Sequence, residues 1–478
     1  MWQPNKKDIS PLYQQIIDHL IQVIQKGDLM PGDHLLSERK LAEAYQVNRS
    51  TVVRALDELE SYGWIERIRG SGTRVLESSI HNRQIPTPFI RLLGRSHSKE
   101  DPYTIALKRK IKEPTTLDLY TGDLPIDLIP NFQFPQLSWE ELIDAEQQLT
   151  STGYLPLKAQ IQKKLARHIQ HHSSNQKILI TSGSTQGIIL LLQTLLQHGD
   201  CIGTEATSFL YSLPIFSPLG IELQGIKQDN EGIDCNDLEA KLQKGKIKLL
   251  YLNPNFQNPT STTMSLARRQ TILELCKKYQ IPIIEDDVFG DLTLQTPLPT
   301  LKELAPEQVI YLGSFSKLFS SRIKIGWIYA NAPLITRLAQ VKNQTEQETD
   351  LLPQLLLTAA LTDSAYEPKH QALLSEMRRR SESFTTKMTA LADYWDFSPI
   401  EGGLYYWLTW KHERLSRKDW QLFLDYHLAL APAFLFGDST NQCRVNYTRL
   451  SIEQQVIFFD KLQQISQQIK SDSRHPLR

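Results

Sequence analysis

The spacing of apolar positions changes twice along the chain. Ile17, Leu20, Ile21 and Ile24 recur at helical spacing after the start signal Ser10-Pro11, and Gly27 closes that stripe. Ser37 predicts the cap of a second helix in SERKLAEAYQV. A third follows in NRSTVVRALDELESYGW, with Val52, Ala55, Leu56 and Leu59 on one buried face. The next stretch, WIERIRGSGTRVL, reads as two short strands around Gly70 and Gly72. From Ser78 to Lys112 periodicity gives way to Pro, Ser and basic residues, the composition of a tether. Beyond Pro114, the apolar runs KILIT, IKLLYL, IPIIEDD and VIYLG alternate with helical patterns such as STQGIILLLQTLLQ and SLARRQTILELCKKY. That alternation predicts an α/β domain built on a largely parallel sheet.

The 478 residues are too many for one core, so residues 8–77, 78–112 and 113–478 are expected to be a small three-helix domain with two strands, a linker and a large α/β domain. Fifty-three basic residues balance 53 acidic ones. No global field therefore draws in nucleic acid, and any contact with DNA must come from a local patch. Cys201, Cys235, Cys276 and Cys443 are scattered, without the close Cys or His spacing of a zinc site or disulfide framework. The polar start and the absence of any long apolar run lead us to expect a soluble, cytoplasmic protein with no metal and no membrane partner.

The local patch sits on the third helix, where Ser50 and Arg54 fall opposite the apolar stripe and Arg49 lies in the first turn. Arg67, Arg69 and Arg74 on the two short strands would form a basic wing that reaches phosphates. Helix-turn-helix spacing alone is shared with many small helical domains. The combination of LLSERKLAEAYQVNRSTVVRALDELESYGWI with GSGT nevertheless resembles the winged helix of GntR-type bacterial regulators. That resemblance implies double-stranded DNA as partner, with Arg39, Arg49, Ser50, Thr51, Arg54, Gly70 and Gly72 near it. Val53 stands where many members carry a basic residue.

In an open α/β sheet, ligands bind beyond the carboxyl ends of the strands. After KILIT come Gly183, Ser184 and Thr185 at a helix start, a suitable seat for phosphate. Asn258 follows IKLLYL, Asp286 follows IPII, and Lys317 follows VIYLG in SFSK. Singly these read as a cap, a turn, a solvated acidic loop and a surface lysine. Together, a phosphate cradle, an amide donor, a carboxylate for a ring nitrogen and an amine for an imine are what pyridoxal 5′-phosphate requires.

TSGSTQG, QNPT, EDD, SFSK and CRVNYTR resemble the motifs of fold-type I aminotransferases. With the winged helix, nearly the whole chain resembles the MocR subfamily of GntR-type regulators. The resemblance implies Lys317 as the Schiff-base lysine, Asp286 on the pyridine nitrogen and Asn258 on the phenolic oxygen. It places Gly183, Ser184, Thr185, Ser314 and Lys324 at the phosphate, with Phe209 stacked on the ring. Tyr154 would reach the phosphate of the neighbouring subunit in a homodimer, and Arg444 would fork onto the carboxylate of an effector or substrate.

Two positions depart from the enzymes. Phe289 replaces a tyrosine, and Lys324 puts a point charge where a guanidinium fork is usual, with Arg322 displaced by two. The expected function is a regulator that senses the cofactor or an amino compound, with turnover secondary. An active aminotransferase with an appended DNA-binding module is the alternative, and a large domain that only dimerises is a third reading.

Overall fold

In the computed structural model, residues 2–5, 10–26, 28–29, 32–61, 64–68, 72–76, 101–134, 136–166, 175–320, 322–346, 348–437 and 439–473 are described. The chain divides into two compact units, Met1–Asp101 and Pro102–Arg478. In the first, helices α1 (Leu12–Lys26), α2 (Glu38–Tyr45) and α3 (Arg49–Ser61) precede an antiparallel pair, β1 (Ile65–Ile68) and β2 (Gly72–Val75). Each residue of the two predicted apolar stripes is buried, and Trp64 completes the core they form. Ser37 caps α2, accepting from the Lys40 amide, as its sequence position predicts. Gln46 ends that helix at φ 51°, a left-handed residue that turns the chain sharply into α3. Gly72 opens β2 at φ 96°, which disfavours any side chain there. Gly70 and Arg69 lie outside the described residues.

The expected linker is shorter at its C-terminal end. Residues Pro102–Lys110 form helix α4, with Tyr103 and Leu107 buried one turn apart on its inner face. The Tyr103 hydroxyl donates to the Leu430 carbonyl at 3.2 Å. Tertiary burial of two residues at i and i+4 therefore overrides a composition that reads as tether, and Pro102 at the first helical position is the local signal that marks the start.

The second unit is built on strands β3 (Gln176–Thr181), β4 (Cys201–Glu205), β5 (Glu222–Ile226), β6 (Ile247–Leu252), β7 (Ile283–Asp286), β8 (Val309–Ser314) and β9 (Gly326–Asn331). They form one sheet in the order β3-β9-β8-β7-β6-β4-β5, with only β9 running against its neighbours. Along β6, Leu249 and Tyr251 enter one core cluster while Leu250 and Leu252 enter another. Both faces are thus covered, which is why these strands read as unbroken apolar runs. Helix α5 (Ser184–Leu195) follows β3 and packs Ile188 and Leu191 into the first of those clusters. A smaller antiparallel sheet pairs β10 (Tyr405–Trp410) with β11 (Gln442–Asn446). Asn446 on β11 takes the Leu119 carbonyl through its amide and the Thr121 and Asp123 carbonyls through its side chain, which lays residues 119–123 across the strand's end.

Leu56 is fully buried at the centre of the smaller core. Leu56→Ala should lower the stability of the first unit by about 2–5 kcal/mol. A thermal melt that resolves the two units checks this, with the larger unit's transition expected to stay in place.

Candidate functional site

Unit 1 presents an exposed basic face. Arg39, Arg49 and Arg54 have side chains 87%, 72% and 62% exposed. Ser50 is exposed beside Arg49 at the start of α3, while Thr51 is half-buried. Arg39, Arg49, Arg54 and Arg74 all have a carboxylate partner: Glu43, Glu38, Glu58 and Glu66 respectively. The guanidinium of Arg54 also lies 3.9 Å over the Tyr13 ring. Arg67, expected on a phosphate-reaching wing, is instead clamped between Glu38 and Asp57. Its position on β1 faces α2 and α3, so packing claims the side chain first.

In unit 2 the predicted residues meet at strand ends. Asp286 closes β7 on the same face as Ile284 and Tyr251, and is buried. The Tyr251 hydroxyl donates to its carboxylate, and the Val288 amide does so at 3.3 Å. Asn253 bridges from there: its side-chain amide donates to the Asp286 carbonyl at 2.6 Å, its oxygen accepts the Asn258 amide at 2.7 Å, and its own amide donates to the buried Glu205 carboxylate at 2.9 Å. Asn258 is linked on to Arg444, whose guanidinium donates to its side-chain oxygen at 2.8 Å. Arg444 lies 4.2 Å over the Tyr405 ring, the Tyr405 hydroxyl donates to the Gly122 carbonyl, and Lys317 donates to that same carbonyl at 2.7 Å and to Asp123 at 3.1 Å. A continuous run of contacts therefore joins Asp286, Asn258, Arg444 and Lys317.

The second group gathers at the first turn of α5. Gly183 caps that helix at φ 86°. Ser314 ends β8 and pairs with Gly326 at the start of β9. A Cβ on Gly326 would stand 2.6 Å from the Gly183 carbonyl carbon and the Ser184 nitrogen, so the bare glycine lets β9 run against the helix start. Lys324 is exposed, and its Cβ would be 3.9 Å from a Cβ on Gly183. Thr185 is exposed and Ser184 half-buried on the same turn. Arg322 is exposed, with its amide on the Ser320 hydroxyl.

Three predicted residues take other partners. Phe209 is half-buried and donates its amide to the Asn258 carbonyl at 3.0 Å. Arg444 is buried, and its second terminal nitrogen donates to the Tyr120 carbonyl at 2.7 Å, leaving Nε without a partner among the described residues. Tyr154 is buried in its own chain, with its amide on Gln354 at 2.8 Å. The hydrogen bonds around Tyr154 do not reach the residues that meet at Lys317.

Sequence reasoning missed Tyr251, Asn253, Tyr405, Gly122 and Asp123. It also missed Glu346, whose carboxylate accepts from the Ser182 hydroxyl at 3.0 Å and from the Gln186 amide beside the α5 first turn. Tyr251 had a signal, since a hydroxyl stands in an otherwise apolar strand. Asn253 had one as well, as the residue directly after the run IKLLYL; Gly122, Asp123, Tyr405 and Glu346 come from distant segments and had none.

Residues 117–461 match the family model of aminotransferase class I and II, and residues 12–75 match that of bacterial regulatory proteins of the gntR family. The chain is 33% identical over 468 residues to YisV of Bacillus subtilis (strain 168), an uncharacterized HTH-type transcriptional regulator, spanning 94% of this chain and 95% of that one. The chain belongs to the MocR-like GntR regulators. YdfD of the same bacterium, another HTH-type regulator, is 30% identical over 459 residues, 92% of each chain. The larger unit is similar in fold to the kynurenine aminotransferase of Pyrococcus horikoshii, solved with PMP, at TM-score 0.70 and 25% identity over 79% of this chain and 98% of that one.

This MocR-like protein is thus a transcriptional regulator with a GntR DNA-binding domain fused to an aminotransferase-like domain. No helix among the described residues is long and apolar enough to cross a membrane. Phe289, the departure noted in sequence, is buried edge-on to Tyr405 at 5.6 Å. Hydroxyls reach the region from Tyr251 and Tyr405 instead.

Burial pushes the Asp286 carboxyl up to about 7, against the pull of the Tyr251 and Val288 hydrogen bonds. The folded value exceeds the unfolded one, so the native state binds the extra proton and stability falls as pH rises from about 4 through 7. In cofactor-free protein, Asp286→Asn should therefore melt above wild type at pH 8, by up to about 4 kcal/mol of stability. The gap should close near pH 4, as paired thermal melts across that range would record.

Proposed function

We propose that the regulator binds pyridoxal 5′-phosphate at the strand ends beside Lys317 and uses it to sense an amine or amino acid, changing how a cytoplasmic homodimer engages operator DNA. The observation that carries this reading is the run of contacts from Asp286 through Asn258 and Arg444 to Lys317, beside a glycine-lined helix start. The donor set fits the cofactor. A buried carboxylate suits a protonated ring nitrogen, and a helix N-terminus flanked by hydroxyls and one lysine suits a phosphate. The close approach of Gly326 to Gly183 keeps that cradle clear of side chains.

When bound, the cofactor supplies an electrophilic carbon open to primary amines. Lys317 would anchor it there, released from the Gly122 carbonyl and Asp123. Asp286 would hold the proton on the ring nitrogen, and its present elevation by burial would vanish against a cation. Asn258 keeps its side-chain nitrogen for the phenolic oxygen, because Arg444 occupies the oxygen. Phe209, whose amide is fixed on Asn258, would cover the ring. Ser184, Thr185, Gly183, Ser314 and Lys324 would hold the phosphate, with Tyr154 contributed from the second subunit.

Arg444 would receive an effector carboxylate. Its Nε is buried without a partner among the described residues, so an incoming carboxylate could satisfy that N–H. An effector that both displaces Lys317 and engages Arg444 would bind one arrangement of the protein more tightly than another, and that difference is what moves the DNA-binding units.

The test is spectroscopic and functional. Purified wild type should show the long-wavelength absorption of lysine-linked pyridoxal phosphate, and Lys317→Ala should lose it. At one fixed salt concentration, affinity for DNA upstream of its own gene should change when the cofactor is removed and return when it is restored. A Lys317→Ala spectrum identical to wild type would sink the cofactor assignment. Rapid, repeated conversion of amino donors with a keto acid would instead favour an enzyme.

A further inference from the structure

One carboxylate in the DNA-binding unit serves two arginines from different elements. Glu38, in the first turn of α2, accepts from Arg49 on Oε2, through Nε at 3.1 Å and Nη2 at 2.8 Å. Its other oxygen, Oε1, accepts from Nη2 of Arg67 on β1. Arg67 is tied in turn to Asp57 on α3 through Nη1, and its main-chain amide donates to Glu60 at 2.9 Å. The Glu38 side chain is 22% exposed, against 72% for Arg49. Arg49 holds the carboxyl of Glu38 below the usual carboxylate range, so the group stays ionised.

The remaining ion pairs of this face differ in kind. Arg39–Glu43 is an exposed pair four residues apart on α2, and Arg54–Glu58 is a long pair of the same spacing within α3. Each of these pairs lies within a single helix and joins no two elements. Glu38 instead joins the first turns of α2 and α3 to the wing strand, which no other acidic side chain among the described residues does.

Guanidinium geometry gives this a consequence for recognition. Arg49 spends one edge, Nε and Nη2, on Glu38, and both hydrogens of Nη1 remain without a protein partner among the described residues. A long, flexible side chain is thereby held by one edge with the other presented outward. The rotamer entropy of ordering Arg49 is largely lost before DNA arrives. A carboxylate beside DNA also repels phosphate, so its presence lowers affinity for any sequence.

We propose that Glu38 is a positioning residue for sequence recognition: it orients Arg49 and fixes the wing against the recognition helix, at the expense of non-specific affinity. This inference is independent of what the site beside Lys317 binds.

Two variants of the full chain separate the roles. Glu38→Gln removes the charge, whereas Glu38→Asp keeps it and shortens the reach by one methylene. Binding is measured at one salt concentration to two duplexes, one enriched by the wild-type chain from a random pool and one of the same composition in scrambled order. Both variants should lower the ratio of specific to scrambled affinity by about ten-fold, the size of one well-placed base contact. Glu38→Gln should bind the scrambled duplex at least as tightly as wild type. A ratio unchanged in both variants overturns the proposal, as does equal tightening on both duplexes by Glu38→Gln with wild-type behaviour in Glu38→Asp. Should thermal melts show that Glu38→Gln unfolds the unit, Glu38→Asp alone decides.

Discussion

Taking a carboxylate out of water is costly unless hydrogen bonds or a counter-charge compensate it, and Asp286 at the end of β7 carries that cost for the larger unit. Much of the surrounding architecture can be read as the response. Tyr251 on the neighbouring strand and the Val288 amide supply donors. Asn253 ties the main chain of Asp286 to Glu205 and Asn258, so strands β4, β6 and β7 share one polar network beneath the strand ends. Parallel strands place those ends side by side, and only a buried sheet can hold such a network away from solvent.

Much of this was legible in the sequence, for identifiable reasons. Unbroken apolar runs give away a sheet covered on both faces, and the residue after each run is at a strand end whatever the loop does. Asp286, Asn258, Ser314 and Lys317 are found that way because their position depends on local pattern. The stripe Val52, Ala55, Leu56 and Leu59 was legible because helical period and burial coincide. What sequence withheld are pairings between distant segments. Gly122 and Asp123 reach Lys317 across almost two hundred residues, through Asn446. Helix α4 was hidden because its composition is basic and only two of its residues are buried. The engagement of Arg67 by Glu38 and Asp57 was equally hidden, since exposed and clamped arginines look alike in a one-dimensional string.

The two units handle charge in different ways. In the larger one, Asp286 and Glu205 beneath the strand ends are buried and held by neutral donors. In the smaller, Arg39, Arg49, Arg54 and Arg74 are exposed, each with an acidic neighbour. That pairing is consistent with the balanced charge of the chain, and it makes affinity for DNA depend on exchanging one set of anionic partners for another.

The reversal of β9 has a consequence for how this chain can vary. Because β8 and β9 are antiparallel neighbours, Ser314 at the end of one and Gly326 at the start of the other are cross-strand partners, which fixes both ends of the connection between them. Lys317 sits on that connection and the helix start of α5 abuts its far end. β9 is also held in register along its other edge by β3, so a residue inserted or deleted there would be taken up within the connection and would move Lys317 relative to the strand ends. A length change that most surface loops absorb without effect would here alter the distance between the lysine and the glycine-lined cradle, while the strand pairing stays in place.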